Sequence, residues 1–241
     1  AFGDQPTVRI LDADDNLVKT GANASATIEV STSAANYNAA QHTGANLAGT
    51  TSINASAGVA TFAGLKFEGV VASYSLSFAA TAPAGITGFT PVTQNLTVTA
   101  GNETSIRVVE GPTNIVAGEA FSPVVSVEFL DAYNNRVLDI ASSKTIQPEL
   151  IETGLLPSVI DSSKTAVAPS NGLVTFTGLT FTKVGTHKVR FTASGLSAIS
   201  SSDIVITNAA PHHLAWVTEP TGAKNDVALS PAPVQIGRAH V

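Results

Sequence analysis

Short runs in which apolar and polar residues alternate recur along the whole chain. A period of two with one apolar face is typical of a half-buried antiparallel strand, and such a face needs a second sheet to cover it. No long segment shows the 3.6-residue period of an amphipathic helix, so the pattern predicts an all-β chain with little helix. The alternating sets are Val8 and Ile10; Ile28 and Val30; Tyr74, Leu76 and Phe78; Leu96 and Val98; Val125, Val127 and Phe129; Val189 and Phe191; Ile204 and Ile206.

Internal similarity is the most informative feature of the sequence. Residues 8–18 and 127–137 share the pattern V-x-[aromatic or aliphatic]-L-D-A-x-x-N-x-V at a spacing of 119 residues. Residues 58–67 and 172–181 share G-[VL]-[AV]-T-F-x-G-L-x-F at a spacing of 114, and residues 96–99 match 204–207 at 108. The matches keep their order while the spacing drifts in small steps, as loop insertions in a tandem array produce.

The matches predict three repeats of unequal completeness. Repeat 1 covers residues 1–101 and is expected to lack its first strand, and repeat 2 covers residues 102–209. Residues 210–235 form the truncated start of a third repeat, because Leu214-Ala215-Trp216 aligns with Ile106-Arg107-Val108. The length of 241 residues suits two domains of roughly 100 residues each.

The last six residues are predicted to be foreign to the fold. Residues 236–241 can be encoded by ATC GGA AGA GCA CAC GTC, which resembles a short-read sequencing adapter. We therefore interpret them as an adapter-derived tail of a metagenomic fragment, and we expect the natural ends to lie outside the chain.

The D-A-x-x-N element is predicted to form a hairpin turn between two alternating runs. The carboxylate of Asp12 or Asp131 can accept hydrogen bonds from backbone N–H groups two residues on, and Asn16 or Asn135 tolerates a left-handed φ. Residues 58–64 predict a strand that is entered and left through glycine, with Phe62 pointing inward.

Two segments together carry a resemblance to a known family. They are P-V-V-x-V-x-F-L-D-A-x-x-N-x-V and G-x-V-T-F-x-G-L-x-F followed by G-x-x-x-V-x-F-x-A. They resemble the immunoglobulin-like repeats of large bacterial surface and adhesion proteins, the broad class of Big and invasin-like repeats. Such families often carry Gly before the turn Asn, where this chain has Asp15 and Asn134, both of which tolerate the left-handed region.

The resemblance implies tandem immunoglobulin-like β-sandwich domains at the cell surface or outside the cell. It implies a non-catalytic structural or adhesive stalk, whose partners are the neighbouring repeats of the same chain. A host or surface glycan or protein would be bound through domains outside this chain. The alternatives are a carbohydrate- or ligand-binding accessory module, a spacer in a secreted multidomain enzyme, and a cytoplasmic filamin-like rod.

Composition and motif content argue against nucleic acid binding, cysteine chemistry, membrane insertion and catalysis. The formal net charge of −6 and a charged share of only 12% argue against nucleic acid binding, which needs a basic patch. The absence of Cys excludes disulfides and Cys-type zinc sites. No apolar stretch approaches the length of a membrane helix, so we expect no membrane insertion in this segment. No catalytic motif is present, so we expect no enzyme activity and no cofactor.

One acidic cluster could bind calcium. Asp12, Asp14 and Asp15 offer several oxygens within one turn and have the D-x-D start of a calcium loop, but the following Gly and the distant Glu of an EF-hand are missing. The matching turn keeps one carboxylate, Asp131, so a plain turn is the favoured interpretation. A second cluster, His212 and His213 beside Trp216, suggests a metal or a sugar platform, but the alignment of Trp216 with Val108 predicts a core position instead.

Overall fold

The computed structural model describes residues 2–34, 46–69, 71–81, 88–154, 158–219, 222, 225–227 and 234–238. Apart from one 3-10 helix, Ala22–Ser25, the regular elements in these ranges are β-strands, and the predicted all-β class is confirmed. The chain forms two compact units, residues 1–102 with 131–135 and residues 103–130 with 136–241. We call these the first and the second unit.

The first unit contains eight strands among its described residues. They are β1 (Thr7–Arg9), β2 (Thr27–Ala34), β3 (Asn46–Ala48), β4 (Ser52–Asn54), β5 (Val59–Thr61), β6 (Lys66–Glu68), β7 (Ala72–Thr81) and β8 (Val92–Val98). A four-stranded antiparallel sheet has the order β4-β2-β7-β8. Two antiparallel pairs, β1 with β5 and β3 with β6, complete the described strands.

The core of the first unit lies between its strands because alternate residues point to one side. Along β7 the buried residues are Tyr74, Leu76 and Phe78, each separated by a half-buried Ser. Phe62 is buried as predicted and meets the Phe78 ring edge-on at 5.3 Å between centroids. This edge-to-face arrangement is the one that aromatic pairs prefer.

The second unit contains eleven strands among its described residues. They are β9 (Ser105–Glu110), β10 (Ile115–Val116), β11 (Val125–Leu130), β12 (Ile146–Glu152), β13 (Val159–Asp161), β14 (Leu173–Phe176), β15 (Gly185–Ala193), β16 (Ile199–Ser200), β17 (Ile204–Thr207), β18 (His213–Thr218) and β19 (Val234–Arg238). One sheet has the order β14-β11-β9, and a larger one has β10-β17-β15-β12-β13 with β16 beside β15. Only β10 and β17 pair in parallel among these contacts.

The second unit has a sandwich-like core to which both sheets contribute. Val127 and Phe129 of the smaller sheet and Val189 and Phe191 of the larger sheet are buried in one apolar cluster. Full burial of such a side chain stabilises the fold by about 1.5–3 kcal/mol, which makes this cluster the main source of stability in the second unit.

Sequence-equivalent residues pair in the same register in the two units. Val8 lies opposite Ala60, and its equivalent Val127 lies opposite Val174. The next backbone hydrogen bond along each pair is also equivalent. Ile10 N donates to Gly58 O at 2.8 Å, and Phe129 N donates to Gly172 O at 2.9 Å. The alternating sets named in the sequence fall on β1, β2, β7, β8, β11, β15 and β17 or directly beside them, as predicted.

The prediction that Trp216 is a core residue is wrong. Trp216 lies on β18, which pairs antiparallel with β19, and its side chain is 53% exposed. The described residues provide β18 with no second sheet, so its side chains have no apolar layer to pack against. Strand β19 includes residues 236–238 of the predicted adapter-derived tail, whereas residues 239–241 lie outside the described residues.

Candidate functional site

The acidic turn at residues 12–16 is built around one carboxylate. Asp12 Oδ1 accepts the backbone N–H of Asp14 at 3.0 Å and of Asn16 at 2.8 Å. The side-chain amide of Asn16 donates to both Asp12 oxygens at 3.3 Å. The predicted hydrogen bond to the N–H two residues on is therefore confirmed, and the bond from the Asn16 N–H leads the influences that lower the pKa of Asp12.

The turn at residues 131–135 repeats this geometry with a buried carboxylate. Asp131 Oδ1 accepts the N–H of Tyr133 at 2.8 Å and of Asn135 at 2.9 Å, while Oδ2 accepts the N–H of Gly101 at 3.0 Å. Burial is the largest influence on its pKa and would raise it, but the hydrogen bonds from Asn135, Gly101 and Tyr133 together lower the pKa. Asp131 is therefore held as a carboxylate by the donors of the turn and by the N–H of Gly101.

The left-handed residue of each turn precedes the asparagine. Asp15 has φ of 65° and Asn134 has φ of 63°, and these are the positions that correspond to the Gly of the family pattern. Asn16 and Asn135, which tolerate a left-handed φ, are not among the described non-glycine residues that adopt one. Each Asn instead binds the turn carboxylate through its side chain and its N–H.

The structure does not gather a metal-ligand set from the described residues. Asp12, Asp14 and Asp15 are exposed, and Asp12 already accepts four hydrogen bonds from within its turn. Within the described ranges, no group of three or more His, Asp and Glu side chains is arranged to hold a metal ion. Calcium binding at Asp12, Asp14 and Asp15 stays a prediction.

A buried glutamate in the second unit joins three segments. Glu128 on β11 is buried, and its Oε1 accepts Arg107 Nε at 2.9 Å and Nη2 at 2.5 Å from β9. Its Oε2 accepts Arg136 Nε at 2.6 Å, directly after the 131–135 turn. Burial, the largest influence, would raise the pKa of Glu128, but the two guanidinium groups outweigh it and the pKa is lowered.

Sequence reasoning did not find the Arg107–Glu128–Arg136 cluster. Arg107 and Glu128 are 21 residues apart and meet only because β9 and β11 are paired in one register. The charge-assisted hydrogen bonds link the edge strand β9 to β11, and β11 to Arg136 after the turn. Both arginine side chains remain partly exposed. The cluster therefore links β9, β11 and the segment after the turn at the surface of the unit.

His187 is a second polar group in the interior of the second unit. It lies on β15, is buried, and neither ring nitrogen has a hydrogen-bond partner among the described residues. Its equivalent in the first unit is Tyr74, which is also buried. A buried imidazole without hydrogen-bond partners costs stability. In the register of β12 and β15, the residue opposite His187 is Glu152.

Comparisons with known proteins add no family. No protein-family model matches the sequence, and no curated protein matches it. Within the described part of the chain, no helix is both long enough and apolar enough to span a membrane. The candidate site therefore consists of the two turns and the Glu128 cluster.

Proposed function

We propose that the chain is a non-catalytic stalk segment of a large extracellular or cell-surface protein, built from tandem immunoglobulin-like β-sandwich repeats. The first and second units act as separate folded spacers. Their length separates other parts of the parent protein, and their sheets carry load along the chain.

The observation that carries this proposal is the repetition of one strand–turn–strand arrangement at residues 7–18 and 125–137. The β1–β5 and β11–β14 pairs share their register, and both turns use an aspartate to accept the N–H groups two and four residues on. Each unit also encloses its own apolar cluster. Repetition of a self-contained core is what a modular spacer requires.

The polar chemistry of the described residues also supports a structural role. The carboxylates with lowered pKa, such as Glu128 and Asp131, accept hydrogen bonds from neighbouring strands and turns, so their oxygens are already occupied. A general acid or base needs a pKa moved toward neutrality and an open path to substrate. The pKa of Glu128 and of Asp131 is lowered, which is away from neutrality.

Pulling the full chain from its two ends tests the modular role. We expect two unfolding events, each releasing about 35 nm, which corresponds to roughly 100 residues at about 3.5 Å per residue. Substitution Gly58→Ala should weaken one event and Gly172→Ala the other, which assigns each event to a unit. A single event that releases the whole length would contradict independent spacers.

A carbohydrate-binding module is the second candidate, and one observation favours it. Trp216 is 53% exposed on β18, and an exposed indole is a surface on which a sugar ring can stack. We expect no binding of the full chain to a glycan array. Binding that is lost in Trp216→Ala and retained in Val217→Ala, another exposed β18 residue, would establish the binding module instead.

A further inference from the structure

Strand β1 of the first unit has fewer neighbours than its equivalent in the second unit. In the second unit β11 lies between β14 and β9. In the first unit, among the described residues, β1 pairs with β5 alone. Because β1 and β11 share their register with β5 and β14, the edge of β1 that lacks a neighbour corresponds to the edge of β11 that β9 occupies.

The burial of the two strands follows this difference. All six residues of β11 are buried, including Glu128 and Leu130. Their equivalents Arg9 and Leu11 are exposed, and the side chain of Leu11, a large apolar residue, is 45% exposed against 3% for Leu130. Among the described residues, the first unit therefore leaves accessible a strand that the second unit covers completely.

The backbone groups on this edge of β1 are positioned to pair with a strand. The backbone groups of Ile10 point to the opposite edge of β1. Its N–H donates to Gly58 O at 2.8 Å, and its C=O accepts the N–H of Val18 at 3.0 Å. Successive residues of a strand direct these groups to opposite edges, so Arg9 and Leu11 present theirs to the open edge. In the second unit the matching Leu130 O accepts the N–H of Thr104 at 2.8 Å.

A groove runs along the same part of the first unit. It has a volume of about 570 Å³ and is lined by Val8 to Asp12 on one side and by Phe89 and Val92 on the other. In the second unit β9 lies between β11 and β16, and Ile199 of β16, which is opposite Phe191 as Val92 is opposite Phe78, packs against the core. The groove thus has the walls between which β9 lies in the second unit.

A second edge of the first unit is uncovered in the corresponding way. In the second unit β10 pairs with β17, placing Ile115 opposite Ile206, and Ile204 and Ile206 are both 1% exposed. The equivalent residues on β8, Leu96 and Val98, are only half-buried, and β8 pairs with β7 alone among the described strands. The two uncovered edges, on β1 and on β8, therefore correspond to the edges that the consecutive strands β9 and β10 cover in the second unit.

We propose that the open edge of β1 is a binding site for a β-strand of the β9 type, and that a copy of β9 joined ahead of Ala1 occupies it. The strand runs antiparallel to β1 and carries apolar side chains at the two positions that match Ile106 and Val108. These two positions face the core in the second unit, where Ile106 is buried and Val108 packs against the cluster. This binding site does not depend on the proposed stalk function.

The experiment restores the strand in the full chain. A copy of residues 103–119 is placed ahead of Ala1, since Ala120 aligns with Ala1 and the copy then keeps the spacing found in the second unit. The matched control carries the same extension with Asp at the copied positions of Ile106 and Val108. Amide hydrogen exchange is followed at Arg9 and Leu11, with the amides of β15 as an internal reference for a folded second unit.

We expect exchange at Arg9 and Leu11 to slow at least tenfold with the apolar extension and to stay unchanged with the charged control. Equal exchange rates in the extended, control and unextended chains would overturn the proposal. Slowing that rises with protein concentration and accompanies dimers in sedimentation would also overturn it, because the strand would then come from a second copy.

Discussion

The two D-A-x-x-N turns have the same internal geometry in different surroundings. Asp12 and Asp131 both accept the N–H groups two and four residues on, and both turns place a left-handed residue just before the asparagine. Asp12 is exposed, whereas Asp131 is 4% exposed and accepts a further bond from Gly101. The five-residue sequence therefore determines the turn, and what lies around the turn determines how much its carboxylate contributes to stability.

The strands that precede the turns differ in the same way. The residues Thr7 and Arg9 are exposed on β1, and their equivalents Ser126 and Glu128 are buried on β11. A substitution in the shared local geometry should thus affect the two units equally. A substitution in the surroundings should affect them unequally.

The largest expected effect is in the shared geometry, at the glycine that faces the chain after each turn. Gly172 has φ of +71°, and a Cβ there would lie 2.1 Å from Val137 O; Gly58 has φ of +78°, with Val18 O at 2.2 Å. Backbone atoms must move to accept either side chain. We expect Gly172→Ala and Gly58→Ala each to lower the free energy of unfolding of their unit by about 3 kcal/mol, measured by denaturant titration.

Gly178→Ala is the matched control for Gly172→Ala. Gly178 has the same φ of +71°, but a Cβ there would meet no atom within 4 Å. This substitution should cost only the left-handed conformation, about 1–2 kcal/mol. If Gly172→Ala costs no more than Gly178→Ala, the close approach of Val137 O has no energetic consequence and the shared geometry is looser than the structure indicates.

The second effect distinguishes the two turns. We expect Asp131→Ala to lower the free energy of unfolding by roughly 2–3 kcal/mol, because it leaves buried N–H groups without an acceptor. Asp12→Ala removes the equivalent bonds where water can replace them, so its effect should be clearly smaller. Thermal and chemical unfolding of both variants measure the difference, and equal losses would show that burial of the carboxylate is irrelevant.

The sequence was sufficient for features that depend on nearby residues. The alternation at Tyr74, Leu76 and Phe78 predicted a strand and its buried face, and the turn aspartates predicted their own hydrogen bonds. The left-handed position was assigned both to the asparagines and to the residues before them. The positive φ lies at Asp15 and Asn134, and the side chains of the asparagines bind the carboxylates.

Features that depend on distant pairing could not be predicted from the sequence. The Glu128 cluster requires the β9–β11 register, which no local pattern specifies. The alignment of Trp216 with Val108 predicted a core contact correctly for Val108, which is partly buried and packs on the second unit's core. It was wrong for Trp216, because burial depends on the opposing sheet. The sequence comparison indicated that repeat 1 lacks its first strand, but the edge of β1 that this leaves open becomes visible only when the neighbours of β1 and β11 are both known.

The smallest expected effect concerns the charge that differs between β11 and β1. The pKa of Glu128 is lowered in the folded state from its ordinary value of 4.5, so its contribution to stability is complete above that pH. The contribution is lost as the pH falls through the lower, folded-state pKa, because protonation then breaks the bonds to Arg107 and Arg136. We expect Glu128→Gln to cost about 1–2 kcal/mol near neutral pH, since both arginines are partly solvated.

In the same variant, the free energy of unfolding of the second unit should fall less steeply as the pH is lowered below neutrality. Unfolding free energies measured from neutral pH to below 4.5 should converge for the wild type and Glu128→Gln as the wild-type carboxylate is protonated. The matched change in the first unit, Arg9→Glu, should create no such acid dependence, because the first unit has Leu17 where the second has Arg136. A parallel offset between wild type and Glu128→Gln at every pH would mean that the glutamate stabilises β11 through packing and that its ion pairs contribute nothing.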